Sequence, residues 1–189
     1  MIRGVVDAAE RVLGENPVLR DKVIALPRVY PLPKRFAPIV DVFRRNPDTA
    51  AIMVSVHANT NGGEARGTGV FYPPRTPGCV ADSPRLAATI LPSILKSATR
   101  FDPSWRRYSD GAIEAIAKDW PNAVLVRHET AAAAGMLEYD FNTRFYPVLI
   151  ETGFIDNPQD AAWLARPDFQ AAIGEAIATA VVSFILKYV

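Results

Sequence analysis

The chain has 189 residues, 49% hydrophobic and 22% charged, with a formal net charge of +1. That length suits one α/β-sized domain with a real core, and the near-neutral balance disfavours binding to nucleic acid through its phosphates. Cys79 is the single cysteine, which excludes an internal disulfide and thiolate zinc clusters.

Residues 5–13, "VVDAAERVL", repeat apolar side chains at helical spacing, and "GENP" stops the run. Asp7 and Glu10 interrupt its apolar part, so it reads as an amphipathic helix and not as a signal peptide. No later stretch approaches the roughly 18 uncharged apolar residues of a membrane span. A short strand is expected at "KVIAL", then a loop at "PRVYPLPKRFAP", where four prolines bar regular structure. "IVDVFRRN" reads as a helix, followed by a strand over 51–57 that runs into His57.

"NTNGGEARG" is a glycine-rich loop, and "TGVFY" reads as a strand of β-branched and aromatic residues. "SPRLAATILPSILKSA" looks helical, with Ser83 as a cap and Pro84 in the first turn; Pro92 predicts a kink or break. A helix is expected at 111–118 and a strand at "AVLVRH", ending in His128. "YPVLIETGFIDNP" is a strand that ends at Glu151, and Asn157-Pro158 opens a helix with a capping side chain. The final helix, from Pro167, puts Phe169, Ile173, Ile177, Val181 and Phe184 on one face.

Alternating strands and helices predict an α/β fold: one domain, a mixed but mainly parallel sheet, helices on both faces. Ligands then bind beyond the carboxyl ends of the strands, where His57, His128 and Glu151 would converge. A neutral imidazole ligates zinc, and a carboxylate beside zinc-bound water serves as general base. From spacing alone, a hydrogen-bonded structural histidine is the plainer reading.

The wording around these residues adds to this. "SVHAN", then "GTGVFY", "SPRLAATI" and "YPVLIETGFIDNPQDAAWLARPDFQAAIGEAIATAV" together resemble the zinc-dependent N-acetylmuramoyl-L-alanine amidases of the amidase-3 family. The resemblance runs in order from about Val23 onward. It implies zinc as cofactor, His57 as a metal ligand, Glu151 as the catalytic glutamate and peptidoglycan as substrate. Extracytoplasmic action follows as an expectation. Gly153 and Asn157 are read as supports of the turn and the helix cap.

The family's glycine-flanked first histidine has no counterpart before His57, and its ligand glutamate would fall near Ile2. Residues 1–189 therefore read as the catalytic domain lacking the family's first strand. Glu10, Glu15 and His128 are poor replacements for the missing ligands. A shortened amidase and a degenerate member that binds cell-wall fragments or a partner both fit, and an uncovered strand edge would favour an oligomer. Tyr108, Tyr139 and the three tryptophans are candidates for stacking on sugars, with core packing as the alternative.

Overall fold

The structure, a computed structural model, describes residues 2–24, 41, 45, 50–72, 83–108, 113–114 and 145–189. Its elements are α1 (Arg3–Glu15), β1 (Ala51–Asn59), β2 (Gly69–Tyr72), α2 (Ser83–Ala98), β3 (Ile113–Glu114), β4 (Phe145–Phe154), α3 (Pro158–Leu164) and α4 (Pro167–Tyr188). The strands form one sheet in the order β1-β4-β2-β3. β1 runs parallel to β4 and β2 parallel to β3, while β2 and β4 are antiparallel. The sheet is mixed, as expected.

Strand alternation decides which face builds the core. Ile52, Val54 and Val56 of β1, Val70 of β2 and Val148 and Ile150 of β4 pack together with Leu86, Ile90 and Ile94 of α2 and Ile173, Ile177 and Phe184 of α4. Tyr146 meets Phe184 edge-on at 5.5 Å, fixing α4 to that face. The alternate residues of β1, Met53, Ser55 and His57, turn to the opposite face. Leu149 and Phe71 form a small separate apolar contact there.

α4 is 22 residues long and apolar enough to match a membrane span by length and composition, which the sequence reading did not anticipate. Its apolar residues are used otherwise: Phe169, Ile173, Ile177, Val181 and Phe184 are buried in the core. α2 passes through Pro92 without the break that was one of the two expected outcomes, a kink or a break. Ser93 and Ser97 donate hydroxyls to the Ala176 and Ala172 carbonyls of α4 at 2.9 and 3.0 Å. This lateral packing offsets the missing proline N–H. Ser83 is itself the first helical residue, and its buried Oγ makes no hydrogen bond. It does not cap.

The helix expected over 111–118 is corrected at Ile113–Glu114, which pairs with β2 as a strand. The unpaired edge of β2 offers backbone partners that outweigh local helical periodicity. Of the strand expected at 22–26, residues 22–24 are described and are not in a strand; the Lys22 N–H closes a turn onto the Leu19 carbonyl at 2.8 Å. The strand expected at 123–128 and the loops at 27–38 and 73–78 lie outside the described residues. Of the helix expected over 39–46, Asp41 and Arg45 are described; both are helical and ion-paired at 2.8 Å.

α1 packs against α4 through Val5 and Ala8, and Gly174 makes the close approach. A Cβ on Gly174 would lie 2.3 Å from the Val5 carbonyl oxygen and 2.7 Å from Ala8 Cβ. Gly174→Ala should therefore destabilise the protein by about 1–3 kcal/mol, the usual range for overpacking. Urea unfolding would show a lower midpoint.

Candidate active site

β1 and β4 run in register from Ala51↔Phe145 to His57↔Glu151. Gly69 of β2 lies opposite Glu151 from the other side. Paired residues share a sheet face, so His57 and Glu151 stand side by side, with a glycine flanking the carboxylate. Adjacent strands are about 5 Å apart, close enough for the two side chains to work on one bound molecule. Neither sits within the main core cluster.

Just beyond this pair the register shifts, and Asn59 faces Phe154. β4 thus carries one extra residue, a β-bulge. It reverses the alternation of β4, so Glu151 and Phe154 lie on the same face although they are three positions apart. Gly153 turns to the core instead, where a Cβ would meet the Trp105 ring at 3.1 Å and Leu164 at 3.3 Å. A larger residue at 153 would push against both.

Glu151 is 7% exposed, and its Oε2 is buried without a hydrogen-bond partner. Desolvation raises its pKa from 4.5 to about 7. The His57 ring bonds Ser55 Oγ through Nε2 at 2.9 Å. A carboxyl that exchanges its proton near neutrality, next to an imidazole, is arranged for acid–base chemistry.

The raised value carries a stability consequence. Between pH 4.5 and about 7 the folded chain keeps a proton at Glu151 that the unfolded chain releases. The stability linked to this proton is fully present below 4.5 and is lost as pH rises through 7. At about 1.4 kcal/mol per unit, metal-free wild type should lose about 3 kcal/mol relative to Glu151→Gln between pH 4 and pH 8. Denaturant melts of both proteins across that range, in chelator, would measure the widening gap.

Buried hydroxyls brace the pair from behind. Thr152 Oγ1 donates to the His57 carbonyl at 2.8 Å. Thr68 Oγ1 donates to the Thr152 carbonyl at 3.1 Å and accepts from Trp105 Nε1 at 3.0 Å. Thr68 and Thr152 are fully buried. These side chains come from segments far apart in the chain, and no sequence spacing signalled them.

The loop after β1 is pinned down. Asn157 accepts from the Gln159 and Asp160 backbone N–H groups, capping α3, and its Nδ2 donates to the Gly63 carbonyl at 2.9 Å. Asp156 accepts from the N–H groups of Asn61 and Gly63 at 2.7 and 3.1 Å. Gly63 has φ +87°, a left-handed conformation that suits glycine. Further along, Asp160 is fully buried and accepts from Arg66 Nε, the Gly67 N–H and the Phe154 N–H at 3.0, 2.8 and 3.2 Å. Arg66 Nη2 also reaches Asp102 at 3.0 Å. Hydrogen bonds from Ser104, then Arg66, hold the Asp102 carboxyl below the ordinary carboxylate range.

Of the residues singled out in the sequence, His57 and Glu151 come together, and Asn157 is the cap that was expected. Gly153 serves the bulge and its contact with Trp105, more than a turn. Glu10 and Glu15 both lie in α1, in the helical layer behind the sheet; Glu15 is its last residue and not a loop position. His128 and Cys79 lie outside the described residues. Among the described residues, no three His, Cys, Asp or Glu side chains gather as a metal site. A catalytic zinc takes three protein ligands, so His57 does not complete one with the other described residues.

A nearly buried carboxyl and an imidazole stand paired on two parallel strands of an α/β fold. Residues 40–183 match the family model Amidase_3, N-acetylmuramoyl-L-alanine amidase. The chain belongs to that family, whose members are generally zinc-dependent.

Solved structures share the fold. An N-acetylmuramoyl-L-alanine amidase from Clostridium difficile 630 superposes with a TM-score of 0.65 at 18% identity, covering 98% of this chain and 82% of that one. The catalytic domain of CwlV from Bacillus (Paenibacillus) polymyxa var. colistinus gives 0.61 at 18% identity, covering 96% and 80%. AmiC2 of Nostoc punctiforme gives 0.58 at 18%, covering 97% and 82%. No curated protein matches the chain.

Proposed function

We propose that this protein hydrolyses the amide between N-acetylmuramic acid and L-alanine in peptidoglycan, with Glu151 carrying the proton and His57 ligating zinc. The observation behind this reading is Glu151. It is a nearly buried carboxyl with an unpartnered oxygen and a pKa of about 7, beside an imidazole in a chain of the amidase family. A buried carboxyl without a partner lowers stability, and such groups concentrate where chemistry uses them. That argues against the non-catalytic reading.

Glu151 takes a proton from the attacking water as the oxygen–carbon bond forms. It returns that proton to the alanine nitrogen as the carbon–nitrogen bond breaks, leaving the lactyl carboxylate and a free amino group. Low exposure keeps bulk water from competing for the proton. Among the described residues, His57 is the donor that this face would offer a zinc ion, and Ser55 holds the ring. The described residues leave the ligand set incomplete, so the proton transfers are assigned to the chain's own groups. The substrate belongs to the cell wall, which places the action outside the cytoplasm.

Zinc retention tests the metal part of the proposal. After zinc addition and dialysis, elemental analysis should give one zinc per chain in wild type and a clear loss in His57→Ala. Equal zinc in the two proteins, or none in wild type, would remove His57 from the ligand role.

A further inference from the structure

We infer that Tyr108 is a substrate-contact residue, an aromatic wall that takes the C–H face of the N-acetylmuramic acid ring next to Glu151. This rests on the amidase reading and adds which part of the substrate lies on which side of the site.

The location follows from Gly69. A Cβ there would point the same way as the Glu151 side chain opposite it. It would lie 2.9 Å from Phe71 Cε2 and 3.7 Å from Tyr108 Cδ1. With no side chain at 69, the Phe71 and Tyr108 rings come down onto the strand beside Glu151. Tyr108 is held in place: its N–H donates to the Thr68 carbonyl at 2.8 Å, and its ring packs on buried Phe154 at 4.9 Å between centroids. Yet it is 38% exposed.

The distribution of exposed apolar side chains points the same way. Among the described residues, Val18 and Ile24 follow α1, and Leu186, Tyr188 and Val189 close the chain; the other two are Tyr108 and Ile155. Ile155 follows β4, its N–H bonded to the Asn59 carbonyl at 2.9 Å. Of the two groups that the scissile amide joins, a pyranose matches a phenol ring in area, whereas an alanine methyl covers little of it. Taking the scale of an aromatic pair for this contact, about 0.5–1.5 kcal/mol, gives about 3–10-fold in affinity.

The test uses the full chain carrying Glu151→Gln, so that ligand is not consumed and the outcome does not depend on turnover. Two probes are titrated: N-acetylmuramyl-L-alanyl-D-isoglutamine, and N-acetyl-L-alanyl-D-isoglutamine, which lacks the sugar. Adding Tyr108→Leu should weaken the first by about 3–10-fold and leave the second unchanged, while Tyr108→Phe keeps most of the affinity. Equal weakening of both probes, or no change in the first, overturns the assignment, as does failure of the first to bind at all. Failure of the amidase reading would appear elsewhere, as wild type that binds muropeptide without cutting it.

Discussion

Glu151→Gln is expected to lower amide hydrolysis by about 10²–10⁴-fold, the usual contribution of a positioned general acid–base group. The loss should fall on kcat, because glutamine keeps the shape and polarity of the side chain but cannot carry the proton. Stability should not suffer. The Oε2 atom that is replaced has no hydrogen-bond partner to lose, and the wild-type carboxyl sheds stability as it ionises. A variant that is inactive yet no less stable than wild type at pH 8 would separate the chemical role of Glu151 from any role in folding.

The largest effect on stability is expected at Asp160. Asp160→Ala removes three hydrogen bonds at once, strands the Gly67 and Phe154 backbone donors, and leaves Arg66 with Asp102 as its remaining carboxylate among these contacts. Breaking a buried ion pair by deleting one partner typically costs about 3–5 kcal/mol. Chemical denaturation should show that loss, and Asp160→Asn should recover part of it by keeping some of the bonds. Activity should fall as well, since the Phe154 end of this network borders the β4 bulge next to Glu151.

The sequence made the elements of the site legible because each has a strong local signal. Ile52, Val54 and Val56 alternate with Met53, Ser55 and His57, which marks a strand with one buried face. Asn157-Pro158 marks a capped helix start, and the apolar stripe from Phe169 to Phe184 marks a helix packed on a sheet. The pairing of His57 with Glu151 is a different kind of fact. It depends on β1 and β4 being neighbours, and alternation says nothing about strand order.

Long-range polar contacts were illegible for a related reason. Arg66, Asp102 and Asp160 are ordinary charged residues in three separate segments, and only the fold makes them a buried cluster. Thr68, Thr152 and Trp105 are likewise unremarkable until their strands meet. Where local signals misled, neighbouring structure prevailed. Ile113–Glu114 extends the sheet despite a helical pattern, and α2 stays unbroken at Pro92 with α4 packed along it.

The most direct measurement is the identity of the bond cut in purified peptidoglycan incubated with the zinc-supplemented protein. Mass spectrometry should find glycan chains with free lactyl carboxylates and peptides with new L-alanine N-termini, both missing with Glu151→Gln. Intact peptidoglycan, cleavage at another bond, or equal products from the variant would contradict a hydrolytic centre built on His57 and Glu151.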